Sequence, residues 1–476
     1  MGWKILATMA LLASAWAEET CLSTDENPYV MFGDKTAYLF AVNQQINTKV
    51  TDVPGCNPIA IWLLNRHGSH NPEPEQIAGL LQLKDYKNNV LSNYKNGNFR
   101  NTQHRICPSD LKLLEQWKCD DQCNASFAGH LTAEGYMTTQ DRAKEWKQKY
   151  PGLLTDNRHD YMFKSADDER SAITFKAFTE GLFRAQAEIY DIPNESGENV
   201  DRILRPHKYC PAWSREVENN ETLSQRQIFE SKQEYKEMVS NISLRLGFSY
   251  SLHAAAVLQM YDMCRYNKAW AVRDVAPWCE AFTAEDLKRL EYAEDLDTYY
   301  KYGYGSPLNQ KLGCTLVKEM LEFFNKTHVP YEQPQQPKVK IQFADAASIL
   351  LLMTSLNGHR DAAPITGDNY RLPLVQARQW RTSKIAPFNA NLAAVLYKCT
   401  PNGRFQVNDP YQVLFLENGQ PLSLEGCRVG LCEWSTIMSK YGPLVDQCNQ
   451  NHCNSAITTK LGLSLIFITI IKYVLL

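Results

Sequence analysis

Arg66-His67-Gly68 is the triplet in this chain best equipped for covalent chemistry. A neutral imidazole can attack phosphorus and hold the phosphoryl group, which turns one difficult displacement into two easier ones. The arginine beside it carries a planar fork of N–H donors that fits phosphate oxygens two at a time. Glycine on the other side lets the backbone approach a ligand closely. The same triplet also occurs in ordinary surface loops, so its meaning depends on the element that carries it.

That element is legible. Residues 58–64, Pro-Ile-Ala-Ile-Trp-Leu-Leu, form a short apolar run that breaks off in the polar cluster 65–71. Such a run predicts a buried strand of a parallel sheet with a loop at its carboxyl end. Ligands of open α/β sheets bind at those ends. A second run, 339–343, breaks off at Ala344-Asp345-Ala346. Between the two, helical patterns cover 132–150 (stopped by Pro151-Gly152), 172–190 and most of 213–324. Residues 327–338, rich in Pro and Gln, read as a linker back to the sheet. No period of about 20–50 residues stands out. The expected fold class is α/β, with residues 18–165 and 335–453 forming the sheet domain and 166–334 a mostly helical insertion and linker.

The ends of the chain read as addresses. Lys4, an apolar run at 5–12 too short to span a bilayer, and Ala15-Trp16-Ala17 make residues 1–17 an expected signal peptide. Export gives the 14 cysteines a purpose as disulfides. A zinc site is disfavoured, since no CxxC is followed by a second pair or by HxxxH. Sequons at Asn124, Asn194, Asn220, Asn241 and Asn325 are expected glycosylation sites. Residues 461–476 are apolar apart from Lys472 and follow Asn454-Ser455-Ala456. That order predicts a glycolipid-anchor signal over 454–476, attached at Asn454, with the protein left on the outer leaflet of a membrane. The short spacer 457–460 keeps a plain hydrophobic tail open as the alternative. An extracellular, cell-surface or endoplasmic-reticulum-lumen location follows. A net charge of −3 without a basic stripe argues against a nucleic-acid partner.

Longer stretches carry a family likeness. The segment Asn65-Arg66-His67-Gly68-Ser69-His70-Asn71-Pro72 resembles the RHGxRxP signature of the histidine acid phosphatases. Leu131-Thr132-Ala133-Glu134-Gly135 through Tyr150-Pro151 is similar to that family's LTxxG…YP helix, and Arg170, Thr174, Ala177-Phe178 and Gly181-Leu182 to its RxxxSAxAFxxGL element. Residues 292–305, 308–314, 381–388 and Tyr397-Lys398-Cys399 resemble the branch of multiple inositol polyphosphate phosphatases. The resemblance runs in order from about Cys21 to Cys448. It implies a mixed, mostly parallel sheet flanked by helices, with the helical insertion. It also implies phosphoryl transfer without metal or cofactor. His67 would be the nucleophile, with Arg66, His70 and Arg170 on the phosphoryl oxygens. Substrates would be small phosphate esters: inositol polyphosphates, phytate among them, and 2,3-bisphosphoglycerate. Bridges Cys56–Cys399, Cys264–Cys279 and Cys427–Cys432 are implied by the same likeness.

The chain departs from the pattern where the leaving group would be protonated. The signature expects arginine at His70, a phosphate-binding histidine at Asp345 and the glutamic general acid at Ala347. A missing general acid removes roughly 10²–10⁴ of rate, and a missing charge-assisted donor costs about 1.5–3 kcal/mol. Two rescues are conceivable: a protonated Asp345 as substitute donor, and a protonated His70 in place of the arginine. His359, in the turn after the second strand's helix, reads as a solvated turn residue. Weak phosphomonoesterase activity is therefore the expectation, and a silent pseudophosphatase that binds a polyphosphate ligand or a protein partner is the alternative.

Overall fold

The computed structural model of this chain describes residues 28–42, 52–97, 105–119, 121–184, 192–218, 224–328, 337–400, 409–449 and 451–454. The expected signal peptide, Asn220 and residues 455–476 of the expected anchor signal lie outside them. Asn454 ends the short helix Asn451–Asn454 beside Cys453.

The strands are β1 (Cys56–Arg66), β2 (Tyr161–Ser165), β3 (Val339–Ala344), β4 (Asn391–Cys399), β5 (Tyr411–Glu417), β6 (Gln420–Pro421) and β7 (Leu431–Glu433). The helices that matter for the site are α1 (Ala133–Lys149), α2 (Glu169–Phe183), α3 (Ala254–Trp270), α4 (Ala284–Lys301), α5 (Cys314–His328) and α6 (Ala346–Ser355). The strands make one sheet in the order β2-β3-β1-β4-β5-β6, with β7 also on β5.

The sheet is mixed, as expected, but parallel pairing is confined to β2-β3-β1 and the remaining pairs are antiparallel. The reason is connection length. Long helical crossovers separate β1, β2 and β3, as parallel neighbours require, whereas β4 to β7 follow one another closely and can fold back by hairpins. Pro58 has no N–H for the ladder, and the β1–β4 register slips between Pro58 and Ala60.

The apolar run is continuous because both faces of β1 are covered. Ile61 and Leu63 join a core with Phe163, Ile341 and Phe343 of the sheet and Trp146, Phe178 and Leu182 of α1 and α2. Ala60, Trp62 and Leu64 point the other way, into a core shared with α3, α4, α5 and α6. α5 also sends Glu319 onto the sheet, where it accepts from Trp62 Nε1 at 3.3 Å and pairs with Lys164 and Lys340, each at 3.1 Å.

The three disulfides implied by the family likeness are present. Cys119–Cys123, Cys210–Cys453 and Cys314–Cys448 join them, and Cys107 is bridged as well. Among the described sequons, Asn124 and Asn241 are exposed and Asn325 is half-buried. Asn194 spends its amide nitrogen, the atom a glycan would need, on Ser165 Oγ at 2.7 Å. No helix among the described residues is long and apolar enough to cross a membrane.

Candidate functional site

β1 ends at Arg66, and His67 is held between the two strands that flank β1. Its N–H donates to Ala344 O at the end of β3 (2.9 Å), and its carbonyl accepts from Asn389 N just before β4 (3.1 Å). The site therefore sits at the carboxyl end of β1 and β3, where the two apolar runs break off.

The loop after His67 is pressed against the first turn of α1. A Cβ on Gly68 would lie 2.7 Å from Gly135 O, and one on Gly135 would lie 2.5 Å from Ser69 O, so neither position has room for a side chain. Thr132 caps α1 through Gly135 N (3.0 Å) and shares a 2.8 Å hydroxyl contact with Ser69. Gly68 N donates to Thr174 Oγ1 of α2 at 3.3 Å. The LTxxG and α2 stretches of the sequence thus become the walls of the His67 loop.

His67 is 3% exposed. Its Nδ1 lies 3.0 Å from Gly68 O. A carbonyl only accepts, so Nδ1 carries the proton and Nε2 keeps its lone pair. Burial, then Arg66, His70 and Arg170, push its pKa well below the usual histidine range. The ring is therefore neutral at physiological pH, which is the state a nucleophile needs.

His70 lies beside it, with ring centroids 5.2 Å apart. It too is neutral. Burial, with Arg170, Arg66 and Lys35, outweighs its bond to Asn71 O (2.6 Å) and pushes its pKa down to about 3. Burial and the neighbouring cations thus work against the protonated His70 that the sequence offered in place of arginine.

Arg66 is buried against the Phe388 ring at 4.7 Å. Its Nη1 donates to Asp34 O and to Ala386 O (2.7 Å), and Nη2 to Asp34 Oδ2 (3.3 Å). The segment that brings Ala386 and Phe388 here is anchored by ion pairs to α4: Arg378 to Asp295, and Arg381 with both its Nε and Nη2 on Glu291. Arg170, in the first turn of α2, donates to Glu73 Oε1 at 2.5 Å. Its charge is close enough to lower the pKa values of His67, His70 and Arg66 alike. The structure thus brings Arg66, His67, His70 and Arg170 together.

Asp345 caps α6, its Oδ1 accepting from Ser348 N (3.0 Å) and Ser348 Oγ (2.9 Å). Burial raises its pKa, but His207, Lys208 and the Ser348 bonds prevail and hold it below the usual carboxylate range. Asp345 is thus an ionised acceptor fixed as a helix cap, which weighs against the protonated substitute donor offered from the sequence. Ala347, 5% exposed in the same first turn, offers no proton at all. His359 lies in a turn with φ 50° and pairs with Glu417 Oε2 at 2.6 Å, so it is an ion-paired residue and not the solvated one expected.

Asp34 and Glu73, the carboxylates that occupy the two arginines, escaped the sequence reading. Gly33-Asp34-Lys35 and Pro72-Glu73-Pro74 look like ordinary polar turns. Only their contacts 32 and 97 residues away give them meaning.

Comparisons with known proteins identify the family and the fold. The profile described as "Histidine phosphatase superfamily (branch 2)" matches residues 61–412. The chain is 34% identical over 97% of its length, and 96% of the relative's, to multiple inositol polyphosphate phosphatase 1 of Drosophila melanogaster. It is 26% identical to the Homo sapiens protein of the same name, over 83% of this chain and 80% of that one. Among solved structures, the D. castellii phytase superposes with a TM-score of 0.70 at 16% identity, covering 94% of this chain and 92% of that one. The Bifidobacterium longum multiple inositol polyphosphate phosphatase in complex with inositol hexasulfate superposes at 0.56 and 12%, covering 84% and 94%. These likenesses at low identity establish the shared fold, and the family rests on the sequence matches. The chain belongs to the histidine phosphatase superfamily (branch 2), with multiple inositol polyphosphate phosphatases as its relatives there.

Proposed function

We propose that this chain is an exported phosphomonoesterase that acts weakly on inositol polyphosphates, phytate among them, and on 2,3-bisphosphoglycerate. The observation that carries this reading is the His67 tautomer: Nδ1–H is committed to Gly68 O, so Nε2 is the free nucleophilic nitrogen, with Arg66 and Arg170 beside it. Nε2 would attack phosphorus as the ester P–O bond breaks, giving a phosphohistidine and an alcohol. Water would then cleave the P–N bond, releasing inorganic phosphate and regenerating the imidazole.

The slow step is departure of the alkoxide. Asp345 is held ionised, and Ala347 has no acid, so the leaving oxygen must draw its proton from water. The loss is about 10²–10⁴ in rate. Carboxylates on both arginines give the silent alternative specific support, since a phosphoryl group must displace or tolerate them.

Phosphate release from phytate by the purified protein, beside His67→Ala, tests the proposal. Slow release that His67→Ala abolishes supports it. No release by the wild type, with micromolar phytate binding in calorimetry, moves the protein to the silent class. Robust release that survives His67→Ala refutes the phosphohistidine route.

A further inference from the structure

Asp34 holds Arg66 through two hydrogen bonds and has no part in the mechanism above. Its carbonyl and its Oδ2 sit on Nη1 and Nη2, which is the end-on edge of the guanidinium. Ala386 O takes the other Nη1 hydrogen. What remains is the side-on edge, Nε with the second hydrogen of Nη2, and Nε is buried with no partner. A buried donor without an acceptor is costly; the Nε atoms of Arg142, Arg245, Arg265 and Arg289 share that state, and it is the place next to His67 that gives the Arg66 edge its meaning. Two oxygens of a phosphoryl group are what such an edge accepts.

The other clamp is different. Arg170 and Glu73 have side chains 26% and 41% exposed, so water screens their pair and a ligand can displace it at little cost. Arg66 is 3% exposed and Asp34 36%, and Lys35, Arg265 and Arg66 keep Asp34 ionised, its pKa down at about 2 against the pull of burial. Lys35 does not tip the balance towards anions, because it is itself shared with Asp262 at 3.5 Å. Around His67, then, two guanidiniums and Lys35, which is 4.0 Å from Asp34 Oδ1 and shared with Asp262, face three carboxylates, Asp34, Glu73 and Asp345, while both imidazoles are neutral.

We propose that Asp34 is a specificity-determining counter-ion of the phosphoryl site: it presents the Nε–Nη2 edge of Arg66 to the ligand while cancelling that guanidinium's charge, and so keeps the affinity for multiply charged anions low. The inference rests on the phosphoryl-site reading above and adds the residue that sets its strength. A dianion about 6 Å from a carboxylate is repelled enough to weaken binding about tenfold even at water's dielectric constant, and by more in a half-buried pocket.

Asp34→Asn is the test. Its amide oxygen can still accept from Nη2 and its backbone carbonyl is unchanged, so the charge alone is removed. Calorimetry on the full chain at pH 7.5, with inorganic phosphate and separately with inositol hexasulfate, needs no turnover. The expected result is at least tenfold tighter binding by Asp34→Asn, with Asp34→Glu staying as weak as the wild type. Equal or weaker binding by Asp34→Asn overturns the inference while leaving the phosphohistidine route standing. No binding by either protein overturns the inference and the phosphoryl-site reading together. If Asp34→Asn does not fold, as judged by thermal melting, Asp34→Ser carries the same comparison and the same two outcomes.

Discussion

Ala347→Glu restores a carboxyl at the position where the family pattern places its acid, and the structure sets both its benefit and its cost. Ala347 is buried in the first turn of α6, two residues after the cap Asp345. A glutamate there feels the ionised Asp345, which raises its pKa, and burial raises it further. The helix N-terminus acts in the opposite sense. The first two effects favour a protonated donor in acidic buffer. A working general acid contributes about 10²–10⁴ in rate, or roughly 2.7–5.4 kcal/mol off the barrier. Four extra heavy atoms at a 5%-exposed position cost about 1–3 kcal/mol of stability through overpacking, which a chain of this size tolerates. Phosphate release from phytate between pH 4 and 7 is the assay, with thermal melting as the check on folding. kcat should rise at least a hundredfold, and a limb should appear in the pH profile where the new carboxyl titrates. The double variant with His67→Ala should be inactive. A folded Ala347→Glu protein with less than a threefold gain would refute the view that a missing proton donor limits this site.

Three further outcomes follow from other contacts. Gly135→Ala puts a methyl 2.5 Å from Ser69 O, so it should destabilise by about 1–3 kcal/mol despite alanine's better helix propensity. Because Ser69 must move, phytate binding should weaken as well, which calorimetry would register. His359 has its pKa raised above 6.5, burial opposing but Glu417 prevailing. Its contribution to stability is therefore complete below about pH 6.5 and lost as pH rises through the folded value. Denaturant midpoints of Glu417→Gln and wild type should differ more at pH 6 than in alkaline buffer, converging as pH rises through the folded value. Cys56→Ser with Cys399→Ser opens a bridge spanning 343 residues and should cost about 2–5 kcal/mol, seen as a lower urea midpoint without loss of the fold.

How much was legible varied with how local the cause was. The two apolar runs announced β1 and β3 because each is buried on both faces by its own side chains, and the observed strands overshoot them by only a residue or two. The helix expected at 132–150 appears as Ala133–Lys149, since threonine caps and Pro151-Gly152 stops are local devices. The helix expected at 172–190 starts earlier, at Glu169, because Asp168 caps it through Ser171 N. Sheet order and the antiparallel half were not legible from periodicity, which records burial and not neighbours.

The site divides along the same line. By itself the sequence determined a candidate nucleophile, His67, at a strand end, the arginines near it and the absence of an acid at Ala347, because each is a matter of residue type at a position in a pattern. The tertiary structure alone decided the state of those groups. It made His67 and His70 neutral by burying them among Arg66 and Arg170, and it turned Asp345 into a helix cap. It also brought Asp34 and Glu73 onto the two guanidiniums. Charge state depends on which groups share a low-dielectric pocket, and chain folding sets that distance, whatever the separation along the sequence.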